Sequence, residues 1–250
     1  MSDFKDHFSE KSPDYVKFRP QYPEALFQYL ASLSPGHDAA WDSATGTGQA
    51  ALGLAPLYSR VIATDASSNQ IKHAARHSKV DYHVCPSENS GIASASIDLI
   101  VVAQALHWFD LDSFFVECRR VLKPQGVIGI WSYGLHRISP EIDAVIDYLY
   151  DEVVGAYWPA ERKMVEEGYS GITLPFMELS PPPFHMQAQW TLSRLYGYLS
   201  TWSAVQRYKN AKGSNPIESI STDLDRAWGD AERTRLIEWP LKLRVGIRQD

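Results

Sequence analysis

An apolar run that closes on an acid, Ala40-Trp41-Asp42, turns through Gly46 and Gly48 and opens into an alanine-rich stretch at Ala50-Ala51. Glycines at such a turn let backbone N–H groups approach a ligand at a strand-to-helix junction, the arrangement that cradles nucleotides in doubly wound sheets. Gly46-x-Gly48-x-x-Ala51 satisfies the glycine pattern of a dinucleotide site. Asp65 stands 19 residues beyond Gly46, where an acid can accept from both ribose hydroxyls. Asp42 points to a different ligand. A carboxylate four residues ahead of the first glycine lies where a dinucleotide would bring phosphate, and it repels phosphate. It suits instead a ligand that carries an ammonium and a sulfonium, which describes S-adenosylmethionine. The bland alternatives are a turn cap for Asp42 and an N-cap for Asp65.

Two further segments belong to the same rim. Ser87 and Glu88, in Cys85-Pro86-Ser87-Glu88-Asn89, follow an apolar strand and offer polar groups to an adenine amino group; a plain polar loop is the alternative. Gln104-Ala105-Leu106-His107-Trp108-Phe109-Asp110 follows the next strand, across the topological switch point from the glycine turn, and is expected to face the pocket. His107 titrates near working pH and is the candidate general base for a hydroxyl or amine acceptor, with core filling as its alternative. A carboxylate acceptor needs no base and calls for cations, for which Arg137 and Arg207 are available.

These residues need a sheet to hold them. From residue 39 the chain alternates short apolar runs with helical patterns, the sign of a parallel sheet covered on both faces. The pattern predicts strands over 39–43, 60–64, 80–85, 97–102 and 127–131, with helices over 23–33, 49–57, 68–77 and 113–122. Lys123-Pro124-Gln125-Gly126 reads as a turn. The rhythm breaks between 133 and 183, where helices over 140–158 and 160–167 read as an inserted cap. Strands over 184–191 and 239–247 flank helices over 192–208 and 216–232. The expected division is an arm over 1–23, a cofactor-binding core over 24–136, a helical cap over 137–183 and a completing segment over 184–250. The arm holds Phe4, Phe8, Tyr15, Phe18 and Tyr22, too aromatic to be left in water, with Arg19 beside it for an anionic group.

Composition narrows the class. The chain has 250 residues, 44% of them hydrophobic, which suffices for a sizeable core. Its net charge of -6 argues against a general nucleic-acid surface. Cys85 and Cys118 are too few for a disulfide framework or a zinc site, so no metal is expected. No apolar run approaches the roughly 18 residues of a membrane span. The expectation is a cytoplasmic protein, monomeric or a small homo-oligomer, that acts on a small molecule.

The chain resembles the class I S-adenosylmethionine-dependent methyltransferases of the small-molecule type, and is most similar to the trans-aconitate methyltransferase group. The motifs that carry the resemblance are Tyr15-x-x-Phe-Arg19-Pro-x-Tyr22-Pro23, Asp42-x-Ala44-x-Gly46-x-Gly48 with Asp65, Gln104-Ala105-Leu106-His107-Trp108-Phe109, and Tyr198-Leu-Ser-Thr-Trp202 with Trp239-Pro-Leu. The resemblance implies a Rossmann-like, doubly wound, seven-stranded sheet whose last strand is antiparallel. It also implies S-adenosylmethionine as cofactor and S-adenosylhomocysteine as product. Cofactor contacts are implied for Tyr15, Arg19, Asp42, Ala44, Gly46, Gly48, Asp65, Ala66, Ser87, Glu88, Gln104 and Ala105, with Arg19 on the methionine carboxylate. Tyr22, His107 and Trp108 are implied on the substrate side, beneath the arm and the cap. Ala44 departs from the family pattern, which has glycine there, so the backbone at 44 is expected to do without positive φ. A nicotinamide-dependent oxidoreductase and a non-catalytic cofactor-binding protein are the rival readings.

Overall fold

The computed structural model describes residues 20–249. Its strands are β1 (Ala39–Ser43), β2 (Arg60–Asp65), β3 (Val80–Val84), β4 (Ile97–Ala103), β5 (Leu122–Tyr133), β6 (Met177–Leu179), β7 (Phe184–Trp190) and β8 (Arg235–Ile247). They form one sheet in the order β3-β2-β1-β4-β5-β8-β6, with β7 also on β8. The first five strands are parallel, and β8 runs antiparallel to β5, β6 and β7. β6 and β7 occupy one position in the sheet. Leu179 pairs with Val245 and Phe184 with Leu241, while β5 pairs with the opposite side of the same β8 residues. The sheet is therefore seven positions wide, and Pro181-Pro182-Pro183, which lack N–H donors, interrupt the edge.

Burial alternates along the strands because neighbouring side chains leave opposite faces. Leu99 and Val101 of β4 enter the core beneath α1 (Glu24–Leu33) and α2 (Gln49–Leu54). Ile100 and Val102 enter the other, packed on Phe114, Phe115 and Cys118 of α4 (Leu111–Val121). A strand apolar on both faces is what a sheet covered by two helical layers requires.

The helices depart from expectation where tertiary contacts win. α3 (Ser68–Lys72) stops five residues short of the predicted end, because Ala75 turns its amide to Thr47 O (3.2 Å) and leaves the helix. α5 (Pro140–Tyr148) gives way to a π turn over Leu149–Val153 and a 3₁₀ turn over Gly155–Tyr157, and α6 spans only Arg162–Glu166. The helix expected over 192–208 is two, α7 (Leu192–Ser200) and α8 (Ser203–Lys212), since Trp202 takes extended backbone and packs into an aromatic cluster with Tyr150, Trp158 and Tyr198. A 3₁₀ turn (Pro216–Ile220) leads into α9 (Ser221–Trp228), which Gly229 ends at φ 78. The turn predicted at Lys123–Gly126 is drawn into β5. Gln125 keeps a turn-like φ of 63, but its amide bonds Arg248 O and the Arg248 amide bonds Gly126 O. No described helix is long and apolar enough to cross a membrane.

Candidate active site

The loop between β1 and α2 makes three left-handed turns in five residues, at Ala44 (φ 55), Gly46 (φ 57) and Gly48 (φ 89). Ala44 thus adopts the positive φ that alanine was expected to refuse. The loop can afford that strain because it is tied on several sides. Thr45 N bonds Thr64 O (2.8 Å), Gly48 N bonds Thr45 O (2.9 Å), and Asp42 Oδ2 accepts from Thr45 Oγ1 (2.5 Å) and Ala51 N (2.8 Å). A Cβ on Gly48 would lie 2.2 Å from the Tyr82 hydroxyl, whereas one on Gly46 would meet nothing within 4 Å. Among the described residues, the space beside the Gly46 α-carbon is unfilled.

The Asp42 side chain is fully buried beneath the loop, where it fastens the turn to the first turn of α2. Its Oδ1 is sealed in without a partner among the described residues. Burial pushes the carboxyl up to about 7, the Thr45 and Ala51 bonds pull it down, and the charge of Asp65 adds a further upward push.

Asp65 closes β2 at the same rim. Its Oδ2 accepts from Gly46 N (2.8 Å) and its Oδ1 from Ser67 N (2.8 Å), so one carboxylate spans the glycine loop and the start of α3, with half-buried Ala66 between. A carboxylate has about four acceptor positions, so ribose hydroxyls remain within its capacity. Ser43 Oγ donates to Ser87 Oγ (2.8 Å), and the Asp110 amide to Glu88 Oε1 (3.0 Å). These bonds draw the loop after β3 towards β1 and the loop after β4.

At the end of β4, Gln104 takes φ 58, donates its amide to Trp131 O (2.9 Å) and its Nε2 to Tyr133 O (2.9 Å). Buried Ala105 starts a 3₁₀ turn over Leu106–Trp108. The His107 ring lies 4.6 Å from Trp108 and 6.0 Å from Tyr169, and its Nδ1 is 3.0 Å from the Tyr169 hydroxyl. Burial lowers the His107 pKa to about 4, resisted by Glu161 and reinforced by Arg162, so the imidazole is neutral at working pH. Tyr22 stands edge-on to Trp131 at 5.2 Å, on the β5 side.

Three expectations fare differently. The exposed Arg137 guanidinium is paired with Asp147 (2.7 Å), and Arg207 is exposed on α8. Among the described residues no hydrogen bond or ion pair joins either to the loops above. Tyr15 and Arg19 lie outside the described residues. Tyr169 and Tyr82 were not anticipated, since both reach the rim from segments with no motif of their own. The described residues also hold no cluster of metal-binding side chains. A glycine loop with a carboxylate at its rim and a second carboxylate buried beneath it suits an adenosyl ligand of positive charge.

The comparisons agree with that chemistry. Residues 41–130 match the family model described as a methyltransferase domain. A Dictyostelium discoideum protein described as a methyltransferase is 32% identical over 229 residues, 90% of this chain and 87% of its own. A solved structure from Anaeromyxobacter dehalogenans, described as a type II methyltransferase, superposes with a TM-score of 0.88 at 44% identity, covering 92% of this chain and 97% of that one. The fold is shared, at a TM-score of 0.53 and 16% identity over 99% of this chain and 59% of the other, with Haemonchus contortus phosphoethanolamine N-methyltransferase 2 in complex with S-adenosyl-L-methionine. The chain belongs to the class I S-adenosylmethionine-dependent methyltransferases.

Proposed function

We propose that this methyltransferase moves the methyl group to an oxygen of a small-molecule acceptor, as in the trans-aconitate methyltransferase group that its sequence resembles. The observation that carries the cofactor half is the pair Asp42 and Asp65, which bracket the Gly46 loop from below and from the rim. Two carboxylates at that turn oppose a phosphate-bearing dinucleotide and favour a cationic donor.

S-adenosylmethionine, when bound, supplies an electrophilic methyl carbon. The chain's own residues hold and orient. In this reading Asp65 accepts from the ribose hydroxyls with Ala66 beside it, and Ser87 and Glu88 border the adenine. Ala44, Gly46, Gly48, Gln104 and Ala105 line the methionine portion, and Tyr15 and Arg19 take its carboxylate. His107, Trp108 and Tyr22 form the acceptor side, under an arm over 1–23 and a helical cap over 137–183. Alignment is worth roughly 7–11 kcal/mol of barrier, against about 10²–10⁴-fold for a general base, so orientation carries most of the rate.

Incubation with radiolabelled S-adenosylmethionine and a panel of carboxylic acids, phenols and amines tests the reading. Label should appear in an extractable small molecule. Cofactor binding with no label transferred across the panel would leave a non-catalytic binding protein.

A further inference from the structure

Tyr169 is held more firmly than packing needs. It takes φ 60 directly after Gly168 at φ 65, two consecutive left-handed residues, the first a glycine and the second a bulky aromatic for which that backbone is strained. Three side chains from the sheet fix the segment. Ser132 Oγ holds Val165 O (2.8 Å), Lys242 Nζ holds Glu166 O, and Arg244 Nη1 holds both Tyr169 O (2.5 Å) and Ile172 O (2.6 Å). The result is a phenol, 1% exposed, delivered to His107 Nδ1 at 3.0 Å.

The direction of that bond follows from the proton count. A phenol has one proton to donate, and a neutral imidazole has one bare nitrogen and one N–H. Burial raises the Tyr169 pKa, so the phenol stays protonated. The phenol proton, buried, must be used, since an unmade buried hydrogen bond is costly. His107 Nδ1 is the acceptor within reach. Nε2 makes no hydrogen bond among the described residues, and the groups that bear on the ring electrostatically are Glu161 and Arg162, flanking the start of α6.

We propose that Tyr169 is a positioning residue that fixes His107 as the tautomer with its proton on Nε2, so that the imidazole offers the acceptor an N–H donor instead of a base. This rests on the reading of His107 as an acceptor-side residue. Its consequence is that His107 replaces the general base expected from sequence with a hydrogen bond to an oxygen lone pair. An acceptor oxygen that is already anionic is served; one that must lose a proton is not.

Nitrogen-15 NMR of the histidine rings in the full chain at pH 7 tests this without an acceptor, with the His107 signals assigned by their absence in His107→Gln. The wild-type ring should show a protonated Nε2 and a bare, hydrogen-bonded Nδ1. In Tyr169→Phe the two tautomers should mix, because the donor that fixes Nδ1 as the acceptor is gone. S-adenosylmethionine affinity should stay within about twofold in that variant. A wild-type proton on Nδ1, or a Tyr169→Phe spectrum unchanged from wild type, overturns the assignment. A wild-type protein that binds no S-adenosylmethionine overturns the site reading, and with it the functional half of the proposal, whatever the tautomer.

Discussion

Ala44 and Gln104 follow neighbouring strands, β1 and β4, at the point where the sheet reverses its winding, and both hold left-handed backbone at φ 55 and 58. Neither is glycine. Each is fixed by its surroundings, Ala44 by the bonds of Thr45 and Asp42, Gln104 by its two bonds to β5. Left-handed backbone costs an L-residue roughly 1–2 kcal/mol, part of which the greater unfolded-state freedom of glycine offsets. Ala44→Gly should therefore raise stability by about 1 kcal/mol without weakening S-adenosylmethionine binding, as read by denaturant unfolding and by titration. A destabilised variant would mean that the methyl group of Ala44 makes a packing contact worth more than the strain.

Gly48 is required for space as well as for φ. With the Tyr82 hydroxyl 2.2 Å from a would-be Cβ and itself bonded to Ala75 O (2.7 Å), Gly48→Ala should cost about 2–3 kcal/mol. The next nearest atom is the ring carbon that bears the hydroxyl, at 3.1 Å. Tyr82→Phe should consequently recover about 1 kcal/mol in the double variant, a non-additivity measurable by a double-mutant cycle. Simple additivity would place the strain in the backbone alone.

If the cofactor sits above the glycine loop as proposed, Asp42 should couple its charge to pH. Its folded pKa of about 7 lies above the ordinary 3.8, so its contribution to stability is fully present below 3.8 and is lost as pH rises through 7. A cation above the loop favours the ionised form, so binding S-adenosylmethionine should release a proton there. Its affinity should rise between pH 6 and 8 by no more than about tenfold per pH unit, and less for the uncharged-sulfur product. Asp42→Asn should flatten the difference. Parallel pH profiles for the two ligands in wild type would show that the Asp42 proton is not linked to ligand charge.

His136 carries the opposite sign. Fully buried, with neither ring nitrogen partnered among the described residues and Tyr198, Trp202 and Trp239 around it, it has its pKa lowered to about 3 by burial and by Arg137. The unfolded chain takes up its proton near 6.5 and the folded chain refuses it, so stability present above 6.5 is lost as pH falls towards 3. His136→Phe should reduce that acid slope and leave stability at pH 7 equal or up to about 1 kcal/mol greater. An unchanged slope in thermal scans from pH 7 to 4 would assign the acid sensitivity to other groups.

The sheet was legible because each of its first five strands is a short apolar run closed by a turn signal, and the position of Asp65 at the end of β2 was legible for the same reason. What one chain of letters omits is direction and distance. Asp42 lies next to the end of the first strand, as its letters predict, yet whether its carboxylate points above or beneath the loop depends on the rotation of β1 about its axis. Tyr169 lies 62 residues from His107 in an irregular segment whose course Arg244 and Lys242 determine from the last strand. Trp202 sits inside a helical pattern and breaks it, since burial among Tyr150, Trp158 and Tyr198 outweighs the continuity of one helix. The edge strand β6 is three residues long, too short to leave a period.

Calorimetric titration of S-adenosylmethionine into the wild type and Asp65→Ala tests the central claim most directly. The wild type should bind one equivalent, and the variant, stripped of the carboxylate that joins Gly46 to Ser67 and faces the ribose in this account, should bind at least tenfold more weakly, each charge-assisted bond being worth about 1.5–3 kcal/mol. Equal affinity in the two proteins would contradict it.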